Sequence, residues 1–502
     1  MSKRFKKKLE KRQSRFKSKN TRNGSKNKRQ SLIFSISKKK KDDLLRKKRN
    51  IIENNKNIEE INQQVLEILN KLPQIVNQIS DPNCQDPHLY VQELKIMVSS
   101  NNDPPIDDLL ESKCVPLLVE FLQRENYQEL QFESASVLAS IASGTTLHTQ
   151  YIVELDVIPI FIKLLSTKNI SLLNQAILAL GNIAGDSIEY RNEILSIGIF
   201  PILLDIITNI QSKAILGNAI WAVCNCVRRR PSPPLSITQD AFPIFKQLIQ
   251  NNDLDLQIKS FYALSYLSNG HLDNNQLIID LEIIPIIIKY LQSNITKIII
   301  PCIRVLGNIA SGSNVQAQTI IDDGALPILK KFLGNKESKI RKETCWVLSN
   351  ICAGTSNQIQ ALLNNYFLEF LIQIVKHDLF SVKKEGCYAI TNLIESANIQ
   401  QIDICFSKNI VPPLISLLGN KDHDIIIKTL KALFRLCTLG QQVYQDNEEI
   451  IEINICVENI EKIEGEIILE KLSTSMDSII SKEANKILNK FFQKKNEINK
   501  QF

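Results

Sequence analysis

Five asparagines each stand four residues after a large side chain: Leu178/Asn182, Trp221/Asn225, Arg304/Asn308, Trp346/Asn350 and Tyr388/Asn392, with Tyr262/Tyr266 as a variant. Four residues is about one helical turn, so both members of a pair share a face. Asparagine competes with a helix for backbone hydrogen bonds, and its return in register points to work done by the amide itself. An amide carries both donor and acceptor, so a row of them can hold the backbone of an extended peptide without reading its sequence. The Trp and Tyr rings between them form slots for Lys or Arg stems, each contact worth about 0.5–2 kcal/mol. Glu343 and Glu385, roughly one turn before an aromatic, can meet the cationic heads. The chemistry is recognition of an extended basic peptide.

The elements that position these residues are announced by prolines in apolar surroundings: Pro116, Pro159, Pro201, Pro243, Pro285, Pro327 and Pro412, at intervals of 43, 42, 42, 42, 42 and 85. The one skipped step falls near Glu369, where Phe367–Leu371 keeps the apolar run without the proline. A period of about 42 residues is that of a two- or three-helix armadillo or HEAT unit, which buries its apolar face only by stacking on neighbours. Each repeat reads as a short helix, a second helix starting near the proline, and a third ending at Gly. The expectation is an all-α, right-handed armadillo-repeat superhelical solenoid of about ten repeats, with a basic N-terminal arm over residues 1–50. A polar linker spans 51–71, the solenoid 72–492 and a tail 493–502.

Charge divides the chain. Residues 1–50 hold 22 Lys/Arg against 3 Asp/Glu, a balance of +19, while residues 51–502 hold 39 against 50, a balance of −11, within the overall +8. A basic arm alone suggests nucleic acid or a localisation signal. The acidic body argues against direct nucleic-acid binding, since a phosphate-binding solenoid would present a basic face, and opposite charges allow the arm to bind the body. Most of the eleven cysteines fall on apolar helices without CxxC or metal-ligand spacing, which reads as buried thiols in a reducing compartment. No cofactor or metal is expected. No membrane insertion is expected either, because no apolar run reaches the roughly 20 residues of a span and no signal-peptide h-region follows the basic N-terminus. The five histidines are scattered, and neither a phosphate loop nor a nucleophile elbow occurs, so no enzyme is expected.

The segments Trp221-Ala222-Val223-Cys224-Asn225, Trp346-Val347-Leu348-Ser349-Asn350-Ile351-Cys352-Ala353-Gly354, Arg304-Val305-Leu306-Gly307-Asn308 and Pro104-Pro105-Ile106-Asp107 together resemble the importin-α (karyopherin-α) family of nuclear import adaptors. In the arm, Lys38 to Asn50, ending Lys47-Lys48-Arg49-Asn50, is similar to the close of that family's importin-β-binding segment. The resemblance implies a larger groove for nuclear localisation signals with Gln175, Asn182, Asn218, Trp221 and Asn225, and a pocket for the principal lysine with Gly144, Thr149 and Asp186. It implies a smaller groove with Arg304, Asn308, Glu343, Trp346, Asn350, Glu385, Tyr388 and Asn392. The chain departs from the family at Ser136 and Ser140 (a Trp/Asn pair), Leu178 (a Trp), Lys259 (an acid), Tyr388 (a Trp) and Ala317 (a Thr of the second lysine pocket).

The same resemblance implies a mechanism. Lys47, Lys48 and Arg49 act as a pseudo-signal in the chain's own groove, and importin-β captures the arm and frees the groove for cargo. The acidic stretch Asp446–Glu470 meets a dedicated export receptor with Ran-GTP, and the protein shuttles between cytoplasm and nucleus through the nuclear pore. A β-catenin-like scaffold for signalling or adhesion would share the solenoid but typically lines its groove with basic residues. Removing residues 1–50 is expected to tighten binding of a basic peptide about tenfold or more, because a tethered competitor acts at roughly millimolar effective concentration. Equal affinity of full-length and shortened protein at low salt excludes autoinhibition by the arm.

Overall fold

The computed structural model describes residues 58–99, 104–270, 272–446 and 449–492. The arm, including Lys47, Lys48 and Arg49, and the tail 493–502 lie outside the described residues. Two compact units divide at Asn274/Asn275.

Triplets of helices fill both units. In the N-terminal unit Thr146–Val153, Val157–Leu164 and Ile170–Asp186 form one repeat, and Ile188–Ser196, Ile199–Asn209 and Lys213–Val227 the next. The C-terminal unit repeats the pattern, for example in Ser356–Asn364, Phe367–His377 and Phe380–Ser396. The third helices are labelled here in chain order: α1 (Gln128–Ser143), α2 (Ile170–Asp186), α3 (Lys213–Val227), α4 (Leu254–Leu267), α5 (Thr296–Ala310), α6 (Ser338–Cys352), α7 (Phe380–Ser396) and α8 (His423–Leu439). The first four belong to the N-terminal unit and the last four to the C-terminal unit. This is the expected armadillo-repeat architecture.

Local sequence explains the starts. Ser313/Gln316, Thr355/Gln358 and Asn398/Gln401 form capping boxes on successive first helices, satisfying amides that the helix cannot. The same glutamines then reach back one repeat: Gln358 Nε2 donates to Asn314 O at 2.7 Å and Gln401 Nε2 to Ser356 O at 2.7 Å. Between first and second helices the chain turns through a left-handed residue at Asp156, Gly198, Glu282, Gly324 and Tyr366, at steps of 42, 84, 42 and 42 residues.

Three expectations change. The segment read as a linker is helical from Ile58, within Ile58–Ser80, because Ile68, Leu72, Ile75 and Ile79 are buried at steps of 4, 3 and 4 residues, an amphipathic spacing hidden by the polar residues around it. Third helices do not uniformly end at glycine: Gly144 and Gly440 cap α1 and α8, but Gly181, Gly185 and Gly307 lie inside helices. One short antiparallel pair, Gln441–Asp446 with Glu449–Asn454, follows α8.

The interior glycines are packing sites. A β-carbon on Gly181 would fall 2.3 Å from Cζ3 of Trp221, and one on Gly307 would fall 2.1 Å from Cζ3 of Trp346. Each tryptophan ring therefore lies against bare backbone of the preceding third helix. In the matching positions, Ala139 precedes Leu178 and Ser349 precedes Tyr388, so a side chain there accompanies a smaller partner than Trp. Gly307→Ala is expected to cost about 1–3 kcal/mol by overpacking, and less than about 1 kcal/mol when Trp346 is already Leu. Calorimetric melting of the four proteins tests this, and an equal loss in both backgrounds refutes the pairing.

Candidate functional site

Most of the asparagines tie one repeat to the next. Asn182 Nδ2 donates to Ala139 O at 3.2 Å, Asn225 to Gly181 O at 2.7 Å, Asn350 to Gly307 O at 2.9 Å and Asn392 to Ser349 O at 2.8 Å. Each accepting carbonyl belongs to the residue just before the Asn position of the preceding third helix. The amide nitrogen is thus an inter-repeat tie. In Asn350 and Asn392 the buried Oδ1 has no hydrogen-bond donor. Trp221 with Asn225, and Trp346 with Asn350, grip one glycine from two directions, ring on Cα and amide on carbonyl.

In the N-terminal unit, α2 and α3 are joined on this face by Asn218 Nδ2 donating to Asn174 Oδ1 at 2.9 Å. Gln175 and Leu178 are buried on the same helix as Asn182. Arg228 Nη1 donates to Asn225 Oδ1 at 2.9 Å, and its guanidinium lies 5.4 Å from the ring centre of Tyr266. Lys259 pairs with Asp255 one turn earlier, and its ammonium nitrogen lies 2.6 Å from where a Gly217 β-carbon would sit. This face therefore carries cations of its own.

Gly144, Thr149 and Asp186 are held on neighbouring elements. Thr146 Oγ1 donates to Asp186 Oδ1 at 3.1 Å, and Thr149 Oγ1 donates to Thr145 O at 3.2 Å. The next helix is capped by Ser187, whose side chain accepts from Tyr190 N, so Asp186 is not spent as the cap of that helix. His148, which the sequence did not single out, completes this corner. Its Nδ1 accepts from Thr145 N at 3.2 Å and its Nε2 donates to Asp107 Oδ1 at 2.7 Å, an arrangement that fixes one tautomer.

In the C-terminal unit Glu343, expected to be held for a ligand cation, pairs with Arg304 at 3.3 Å. Glu385 is buried on α7, and Asn308 is buried on α5. Lys428 lies 5.3 Å from the ring centre of Tyr388, so one face of the ring expected to receive a ligand lysine already has a cation from this chain. Burial, then the carboxylates of Asp424 and Asp422, push the Tyr388 phenol up. Ala317 is buried without the hydroxyl that Thr149 supplies in the other unit. Ten of the eleven cysteines are buried and all are free thiols; burial alone pushes Cys405 up to about 12, which suppresses thiolate chemistry.

Comparison with known proteins adds a second kind of observation. The Armadillo/beta-catenin-like repeat family matches residues 102–143, 145–185 and 313–353, and the Importin beta binding domain family matches residues 12–91, extending past the basic arm and through Ile58–Ser80. Importin subunit alpha-2 of Arabidopsis thaliana is 36% identical over 192 residues, covering 38% of this chain and 36% of that protein. Importin subunit alpha-1b of Oryza sativa subsp. japonica is 38% identical over 190 residues, covering 38% of this chain and 35% of that one. Armadillo repeats and an importin-β-binding segment are thus both matched in this chain, and these curated relatives are importin α subunits. It spans just over a third of the length of the relatives it matches. An engineered protein of known crystal structure has the same fold, with a TM-score of 0.71 at 24% identity, covering 84% of this chain and 98% of that one.

Asp186→Lys is expected to reduce affinity for a short basic peptide by at least about tenfold while shifting the melting temperature by no more than a few degrees. Peptide anisotropy and calorimetry on the same preparations check it. A large drop in melting temperature with retained binding means that Asp186 is structural.

Proposed function

We propose that the chain is a nuclear import adaptor whose third-helix faces hold extended basic localisation signals of cargo proteins and whose N-terminal segment binds importin-β. The observation that carries this reading is the conjunction of an importin-β-binding match over 12–91 with buried, donorless Oδ1 atoms on Asn350 and Asn392, one repeat apart. An acceptor left unmade in a buried place costs about 1–3 kcal/mol, and a shift of the amide that opens Oδ1 to a backbone N–H of an extended peptide meets that need. Asp186, Glu343 and Glu385 supply the charge that selects Lys and Arg over acidic residues.

In this proposal the larger groove comprises Gly144, Thr149, Gln175, Leu178, Asn182, Asp186, Asn218, Trp221 and Asn225. The smaller comprises Arg304, Asn308, Glu343, Trp346, Asn350, Glu385, Tyr388 and Asn392. Lys47, Lys48 and Arg49 serve as the tethered competitor, importin-β relieves it, and the acidic stretch after α8 serves the export step with Ran-GTP. The protein then cycles between cytoplasm and nucleus. Its work is binding and not catalysis.

Pull-down of importin-β with full-length chain and with chain lacking residues 1–50, alongside anisotropy with a lysine-rich and an acidic peptide, tests the proposal. Capture of importin-β only by the full-length chain and preference for the lysine-rich peptide support it. Preference for the acidic peptide sinks it. Because Leu178 and Ser136 remove two aromatic walls from the N-terminal unit, Trp346→Ala is expected to weaken a single-cluster basic peptide at least as much as Trp221→Ala, in protein lacking residues 1–50. Near-total loss with Trp221→Ala and little change with Trp346→Ala reverses that assignment.

A further inference from the structure

The last third helix of the C-terminal unit inverts the charge of the face it continues. In α6 and α7 one row reads Glu343, Trp346, Asn350 and then Glu385, Tyr388, Asn392. One repeat on, 43 residues later in each case, α8 carries Lys428, Lys431 and Arg435. The structure fixes this correspondence. Glu343 reaches back to Arg304, which holds the Trp346 position one helix earlier, and Lys428 reaches back in the same way to Tyr388. Arg435, in the Asn place, is braced by Nε donating to Ile394 O at 2.7 Å and Nη2 donating to Ala397 O at 2.8 Å.

These are not neutralised charges. Among the described residues neither Lys428 nor Lys431 forms an ion pair, while nearby Asp422 is taken by Lys384. Lys431 is exposed and Lys428 half-buried. Lysines usually lie solvated and mean nothing by position, but here two of them and an arginine replace an acid, an aromatic and an amide at three consecutive positions of one row. Asp424, exposed one turn before Lys428, is the carboxylate at the start of this face, and beyond it a ligand residue over Lys428, Lys431 and Arg435 meets cations.

We propose that α8 selects a carboxylate-bearing residue on the flank of the bound basic peptide, so that the C-terminal unit takes a basic run followed on one side by Asp or Glu. The proposal rests on the reading of these faces as basic-peptide surfaces. Packed helices lie about 8–10 Å apart and an extended chain advances about 3.3 Å per residue, so the selected residue falls roughly two or three positions beyond the last lysine anchored on α7. A carboxylate there gains charge-assisted hydrogen bonds from Lys428 and Lys431, and a further lysine meets like charge.

The test uses the full-length chain and fluorescent peptides with one basic run, carrying Glu, Gln or Lys two or three residues beyond either end. On one flank Glu is expected to bind about three- to tenfold tighter than Gln, and Gln tighter than Lys, with the differences shrinking as salt rises. Lys428→Glu with Lys431→Glu is expected to reverse that order, while Arg435 stays as the brace. Lys431→Gln, at an exposed position, is expected to narrow the Glu preference without changing melting, which keeps the test valid if the double variant folds poorly. Equal binding of Glu, Gln and Lys peptides, or an order unchanged by Lys431→Gln and by a folded double variant, overturns the proposal and leaves the adaptor reading standing. Failure of every basic peptide to exceed an acidic control overturns both.

Discussion

A buried asparagine amide donating to a carbonyl one repeat earlier is the constraint on which the rest of the third-helix face depends. Asn182, Asn225, Asn350 and Asn392 each make it. A repeat of helices packed by apolar ridges alone can slip by a turn at modest cost, because leucines and isoleucines fill one another's places. An amide and a carbonyl buried together cannot slip, since each then pays its desolvation without a partner. With the register pinned, Trp221 and Trp346 must land on Gly181 and Gly307, and the side chains three positions earlier must land beside the preceding row.

That pinning separates scaffold from recognition. The amide nitrogens and the capping-box glutamines tie repeat to repeat through backbone atoms, which every residue type supplies. The aromatic position and the one three residues before it are not used in those ties. They vary in this chain from Leu178 through Trp221 and Trp346 to Tyr388, and from Gln175 and Asn218 to Glu343 and Lys428, without any change in the helix triplets. Charge can therefore be rewritten along the face while the fold is unchanged. Arg304 with Glu343 and Lys259 with Asp255 show part of that charge already spent inside the chain, which limits what any one carboxylate or ammonium offers a ligand.

Much of this was legible in the sequence, and for physical reasons. The prolines mark second-helix starts because their fixed φ suits a first turn, so the period and the helix triplet were readable from them. The Asn pairs were readable as a face because a four-residue step returns to one side of a helix. The inter-repeat tie made by the amide nitrogen was not readable, because donating to a neighbouring repeat and contacting a ligand demand the same residue at the same spacing. The helix Ile58–Ser80 was masked by a run of Asn, Glu and Gln that resembles a connector until Ile68, Leu72, Ile75 and Ile79 are seen buried together. The glutamine ladder was in principle visible, since Ser, Thr or Asn followed three residues later by Gln recurs at 313, 355 and 398.

The places where the chain departs from the importin-α pattern divide along the same line. At Ala139 and Ser349 a side chain occupies the site that Gly181 and Gly307 leave empty, and the residue facing it is Leu178 or Tyr388 instead of Trp; those departures are explained by space. Lys259 is held by its surroundings too, with its ammonium 2.6 Å from where a Gly217 β-carbon would sit and Asp255 as its ion-pair partner, whereas Lys431 is exposed and places a cation where a basic ligand would approach. A substitution that packing requires carries no information about ligands, whereas one that packing does not require, on a face whose register is fixed, is information about what that face excludes. The charge of the α8 row is of the second kind, and the Leu178 row of the first.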